Sequence, residues 1–333
     1  MNAGLRPGPL LWKCAPGISL VVAVALFYAI APDRPLSGMD LRTILVHTVI
    51  VGVVALGMTV VIVSGGIDLS VGSGVALCGV AAAQVMETPW AGGMGRVQGL
   101  AAVLAAVAVG GMCGAYNGVL VTLLRMPPFI VTLGMMGFFR GLAKWMAGSS
   151  PVYAKPGWLE AWVQPKPHPA WLLVAPIVWV MLALAALTAG FLVRTVPGRH
   201  AVAVGSNEEA ARRAGVPVDR IKRMVYILCG ACVGLAGVMQ FARLGGSGDP
   251  VVSVGLELKA IAAVVIGGAS LSGGHASVVG TLCGALLMAL LDNRCTALGW
   301  PNYVQELVVG HIIILAVALD RWRLGKMRAS GGS

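Results

Sequence analysis

The sequence predicts an all-α membrane protein of about ten transmembrane helices, and three observations carry that reading. Of 333 residues, 58% are hydrophobic and only 11% are charged, against roughly 25% charged in a soluble domain. A water-soluble fold must present a polar exterior, so no globular core hides that much apolar surface. Mean hydropathy is +0.86, and the apolar residues gather in stretches near the length that crosses about 30 Å of hydrocarbon. The third observation is 46 glycines beside an aromatic fraction of 6%. That balance fits helices packed through small residues, not a β-barrel with aromatic girdles. A soluble enzyme, a disordered chain and a collagen-like fibre are thereby excluded.

In chain order the predicted spans cover residues 17–31, 43–63, 69–86, 100–124, 129–147, 171–193, 224–242, 258–269, 276–291 and 304–319. The eighth is short enough to be a half-helix. The first is not a cleaved signal: no small-x-small site precedes a soluble domain, and more spans follow at once. Residues 1–16 then form an N-terminal segment, 17–320 a single transmembrane domain and 321–333 a tail. With both termini in the cytoplasm, fourteen of the 24 Lys and Arg fall inside, seven outside and three within spans. That is the bias of the positive-inside rule. The +11 net charge is therefore assigned to topology, and no nucleic acid is expected.

The seven cysteines lack the regular spacing of a disulfide framework. Cys229 and Cys232 read as two small side chains one helical turn apart. His47, His275 and His311 read as packing or capping residues, and no metal-ligand set can be assembled. Two loops are long enough for structure of their own. Residues 148–170 lie outside, and Trp158 and Trp162 are spaced for a short interfacial helix. Residues 194–223 lie inside and are the most polar part of the chain.

Within that inner loop, Ser206 or Asn207 caps a helix whose first turn carries Glu208 and Glu209. Ala210 and Ala211 follow, Arg212 and Arg213 close the helix, Gly215 ends it and Pro217 blocks its continuation. Asp219 is expected to cap the helix leading into the seventh span. About two turns of helix are not stable alone, so this one is expected to dock into a cleft of another protein.

Residues 63–73 (VSGGIDLSVGS) and 265–275 (VIGGASLSGGH) are identical at six of eleven positions. The match predicts a pseudo-repeat of two halves, with backbone breaks at Gly65-Gly66 and Gly267-Gly268 that line a cavity or are buried in protein. Asp68 is open to two readings: a cap of the third span, or part of a translocation pathway. Arg140 and Lys144 in the fifth span, with Glu257 and Lys259 at the start of the eighth, face the bundle interior or snorkel outward. Asp292, Arg294 and Glu306 are expected to pair around the last outer loop.

Glu209-Ala210-Ala211 followed by Gly215 resembles the core of the EAA motif of ABC importer permeases, although the usual Ile-x-Leu-Pro tail is absent. A wider set is more specific: ALGMT at 55–59, SGGIDLSVG at 64–72, Asn117-Gly118, FIVTLGMM at 129–136 and Arg140-Gly141. Ser150-Pro151, GGASLSGG at 267–274, Gly280-Thr281 and Gly284-Ala285 complete it. From about residue 40 to 320 the chain resembles the ribose/simple-sugar permease family of bacterial ABC transporters. The resemblance implies a bacterial inner-membrane subunit that works as a homo- or heterodimer. It also implies ATPase subunits holding ATP and Mg²⁺, a periplasmic sugar-binding protein, and 148–170 as a periplasmic loop. Residues 206–215 become the coupling helix. No phosphate-binding G-x-x-x-x-G-K-[ST] loop occurs in the sequence, so no ATP hydrolysis or bound cofactor is expected in this chain.

A neutral, polar solute needs weak hydrogen-bonding groups along its path. Ser64, Asp68, Ser70, Asn117, Thr132, Ser270 and Ser272 are the candidates, with Gly65, Gly66, Gly267 and Gly268 as hinges. The competing reading is an ion-coupled secondary transporter of a small polar solute. It calls for titratable carboxylates within spans, where Asp68 stands nearly alone. An intramembrane enzyme needs a nucleophile–base or metal constellation that the spacing does not supply.

Overall fold

The computed structural model describes residues 9–88, 95–167, 169–301 and 303–312, together with 314, 315 and 318. The expected tail at 321–333, the start of the N-terminal segment and the end of the last span lie outside the described residues. The apolar stretches form helices α1 (Pro9–Ile30), α2 (Gly38–Val63), α3 (Val71–Glu87), α4 (Gly95–Leu124) and α5 (Pro128–Met146). After strand β1 (Val152–Tyr153) come α6 (Trp158–Val163), α7 (Pro176–Arg194), α8 (Val196–Ser206), α9 (Glu208–Arg213) and α10 (Val218–Arg243). Strand β2 (Ser247–Gly248), α11 (Leu256–Ile266) and α12 (Val278–Ala297) follow, and residues 303–312 form a last helix, α13. By length and composition, α2, α4, α7, α10 and α12 are each able to cross a membrane.

Helix α2 is the axis of the bundle. Ser37 and Asp40 close a capping box at its start, and every residue from Thr48 to Val63 is buried. A helix apolar all round has to be buried all round, and α2 is surrounded by α7, α10, α11 and α12. The most extensive helix pair is α4 against α10. Ala102, Ala106, Gly110, Gly114 and Gly118 form the buried stripe of α4, and its opposite face exposes Leu100, Leu104, Met112, Tyr116 and Leu123. Small residues let the two backbones approach, the packing mode of helices in lipid.

Outside the helices, β1 and β2 pair antiparallel, with Val152 opposite Gly248 and Tyr153 opposite Ser247. The pair ties the segment after α5 to the one after α10. The expected short helix with Trp158 and Trp162 is α6, and the two indoles meet edge to face at 5.3 Å.

Three expectations need correction. Trp171 belongs to a short 3-10 turn, and α7 starts at Pro176, because proline is pre-shaped for the first helical turn. Helix α12 runs past 291 to Ala297, so Asp292 and Arg294 are helical. Residues two apart on a helix do not face each other. Asp292 accordingly pairs with Lys259 at 2.6 Å, while Arg294 approaches Asp40 at 3.7 Å. Arg140 is half-buried and donates to the carbonyls of Pro250 and Val252, between α10 and α11, at 2.9 and 2.7 Å, whereas Lys144 is exposed.

Candidate functional site

Both glycine breaks end a helix in the same way. Gly65 donates to the Ile62 carbonyl and Gly66 to that of Val61, with Gly65 at φ +81°. Gly268 donates to Val265 and Ala269 to Val264, with Gly268 at φ +91°. This is the Schellman closure, whose left-handed residue is normally glycine. The turns that follow also match: Asp68 Oδ1 accepts from the Ser70 amide at 2.9 Å, and Ser270 Oγ accepts from the Ser272 amide at 3.3 Å. The turns keep the offset of the sequence match, whereas the helix ends are one residue out of step with it.

A buried polar network surrounds the first break. Asp68, Ser70, Asn117 and Thr132 are each at most 3% exposed. The Ser70 hydroxyl donates to Asp68 Oδ1 at 2.6 Å, and Asn117 Nδ2 donates to Asp68 Oδ2 at 3.2 Å and to Ser70 Oγ at 2.8 Å. Thr132 Oγ1 accepts from the Leu69 amide at 3.1 Å and donates to the Ile67 carbonyl at 3.2 Å. Helices α4 and α5 therefore clamp the segment between α2 and α3, and Asp68 takes its partners from neutral donors. Ser64 turns back onto the Val61 carbonyl at 2.8 Å.

One further contributor escaped the sequence reading: the Tyr226 hydroxyl on α10 donates to the Ile67 carbonyl at 3.3 Å. Apart from this network, the hydroxyls of Thr59 and Thr281, both within the motifs quoted above, meet at 3.0 Å between α2 and α12. A lone tyrosine in an apolar helix is itself a signal, because its buried hydroxyl needs a partner. Thr132→Val keeps the shape but orphans the Leu69 amide, and is expected to cost about 2 kcal/mol of stability in a denaturant titration.

Residues 194–223 carry more regular structure than a linker. Helix α8 fills 196–206, so Ser206 ends that helix, and Asn207 alone caps α9, accepting from the Ala210 amide at 2.9 Å. Ala211 is the buried anchor of α9. Glu208 pairs with Arg212 at 3.3 Å, and Glu209 pairs with Arg213. Gly215, at φ +82°, closes the helix. Asp219 does not cap α10: Pro217 holds that position, and Asp219 in the first turn pairs with Arg212 at 3.2 Å. Lys222 reaches Glu208 at 2.7 Å.

Partial burial pushes the Glu208 carboxyl up, but Lys222 and then Arg212 outweigh it and hold the group below the ordinary carboxylate range. A lowered carboxylate contributes stability above its unfolded value and loses it as pH falls through the folded one. The α9 tether is therefore intact at neutral pH and lost only in acid. A cavity of about 600 Å³ opens beside it, lined by Arg125, Met126, Pro127, Glu208, Arg212 and Lys222 among others. Among the described residues, no three His, Cys, Asp or Glu side chains gather to hold a metal.

A transport-permease family model, described as "Branched-chain amino acid transport system / permease component", matches residues 41–317. The chain belongs to this permease family. It is thus a transporter subunit and not an enzyme. The permease is 39% identical over 313 residues to the ribose import permease protein RbsC of Escherichia coli (strain K12), which covers 91% of this chain and 92% of that protein. It is 36% identical to the L-arabinose ABC transporter permease protein AraH of Azospirillum brasilense, over 93% of this chain and 88% of the relative. It is 34% identical to the D-allose transport system permease protein AlsC of E. coli, over 91% and 89%. No solved structure matches the permease significantly. The match spans both glycine breaks, the Asp68 network and α9.

Proposed function

We propose that this permease is the transmembrane subunit of an ATP-binding-cassette importer for a ribose-like monosaccharide. It crosses the bacterial inner membrane ten times with both termini in the cytoplasm, using α1, α3, α5 and α13 beside the five long apolar helices, with the eleven-residue α11 as a half-helix completed by the break that follows it. It pairs with a second permease chain and receives solute from a periplasmic sugar-binding protein. Separate ATPase subunits, holding ATP and Mg²⁺, dock on the 194–223 loop with α9 as the coupling helix. The observation that carries this reading is similarity over 91–93% of the chain to permeases named for ribose, L-arabinose and D-allose. These are all small neutral sugars, for which the Ser270 and Ser272 hydroxyls beside the second break supply weak hydrogen-bonding groups, while the buried set of Asp68, Ser70, Asn117 and Thr132 braces the first break.

The test is reconstitution of the chain with its ATPase and binding protein in proteoliposomes. Uptake of a labelled aldose should require ATP and the binding protein; uptake that persists without the ATPase sinks the reading. The coupling helix has its own test. Gly215 sits at φ +82° and donates to the Arg212 carbonyl at 3.1 Å, whereas proline fixes φ near about −65° and has no N–H. Gly215→Pro is expected to lower uptake about tenfold or more. Glu209→Lys, which places a cation at the helix start beside Arg213, should act in the same direction. Unchanged uptake and assembly in both variants would refute the assignment.

A further inference from the structure

Gly205, two residues ahead of the Asn207 cap, lies where the two glycine breaks meet. The Gly274 amide donates to the Val63 carbonyl over 2.9 Å, joining the end of α2 to the second break. Gly205 fills the seam between them: a β-carbon there would stand 1.8 Å from the Val63 carbonyl oxygen and 2.7 Å from the Gly274 nitrogen. A β-carbon on Gly273 would come within 2.7 Å of the Gly205 carbonyl oxygen. One on Gly274 would come within 2.5 Å of Ser206 Oγ. Three backbones thus touch without side chains between them, and close-packed backbone passes displacement on instead of absorbing it. The positions that can absorb it are the left-handed glycines beyond the seam, Gly65 at φ +81° and Gly268 at φ +91°.

We propose that Gly205 is a positioning residue for transport, which passes the movement of α9 to both glycine breaks as one unit. The proposal rests on the reading of α9 as the ATPase-docking helix. Binding energy released on the cytoplasmic loop then reaches the Asp68 turn and the 267–274 turn together, so both hinges move in step.

The test uses the reconstituted importer, with radiolabelled D-ribose, L-arabinose and D-allose as probes. Gly205→Ala is expected to keep the ATPase subunit bound while losing about tenfold or more of ATP-driven uptake and of binding-protein-stimulated hydrolysis. Gly190→Ala, where a β-carbon meets nothing within 4 Å, should leave both unchanged. A second measurement uses the unaltered chain and does not depend on how Gly205→Ala folds. The Gly274 amide, bonded to the Val63 carbonyl over 2.9 Å, should exchange with solvent no faster during ATP turnover than at rest, since the contact stays closed through the cycle. Faster exchange of that amide during turnover overturns the proposal, as does full uptake in Gly205→Ala. Release of the ATPase from Gly205→Ala also overturns it, leaving Gly205 a mere support of α9. If the unaltered chain binds no ATPase, the reading of α9 falls, and this inference falls with it.

Discussion

Gly110→Val is expected to prevent the folded permease from accumulating. A β-carbon at Gly110 would lie 2.2 Å from the Gly230 carbonyl oxygen and 2.6 Å from the Gly234 nitrogen. The neighbours are backbone atoms of α10, so no rotamer change relieves the clash. The contact is reciprocal: Gly230 would meet the Gly110 carbonyl oxygen at 2.1 Å, and Gly234 that of Ala106 at 2.3 Å. Separating α4 from α10 also loosens the clamp on Asp68, because Asn117 rides on α4 and Tyr226 on α10. Overpacking costs about 1–3 kcal/mol and occasionally more, and a clash with rigid helix backbone belongs at the upper end. Gly111→Val is the control, since a β-carbon one residue along meets nothing within 4 Å. Thermal unfolding in detergent should separate the two variants clearly, and equal midpoints would refute the packing argument.

The second large effect is expected at Asp68. Asp68→Ala removes the acceptor of the Ser70 amide, the Ser70 hydroxyl and the Asn117 side chain at a site 3% exposed. Buried donors left without partners cost about 1–3 kcal/mol each. The variant should therefore lose on the order of 3 kcal/mol or more, and ATP-driven uptake with it. Asp68→Asn should be far milder. Its Oδ1 still accepts from Ser70, and Asn117 has a buried Oδ1 without a partner that an amide flip turns toward the new N–H. A loss of about 1 kcal/mol is expected. If Ala and Asn at this position destabilise equally, the network is not what holds the turn.

Much of the site was legible because its signals are local. The double glycines after 63 and 266 announce helix ends that need a left-handed residue, and both ends use one. Asn207, Glu208, Glu209 and Gly215 spell a capped helix within nine residues, and α9 has those bounds. Other readings failed where a helix starts earlier or runs longer than its local signals indicate. Asp219 looks like a cap in sequence, yet the helix starts earlier, with Pro217 at the cap position and Asp219 in the first turn. Asp292, Arg294 and Glu306 look like neighbours, yet a longer α12 sends the first two to Lys259 and Asp40.

By itself the sequence determined the helical bundle, its breaks and the short capped helix α9, because propensity, capping and glycine conformation act over a few residues. Only the tertiary structure decided which surfaces meet. Helix α2 is apolar all round, so no periodic face says what packs on it. Every glycine in the sequence is equally free of a side chain, and nothing local separates Gly110, pressed against α10, from Gly111, which faces open space. The same holds for Asp68 and Asn117, for Arg140 and its two carbonyls, and for Gly205 at the meeting of both breaks. Those partners lie tens to hundreds of residues apart, and helix rotation and packing alone bring them together.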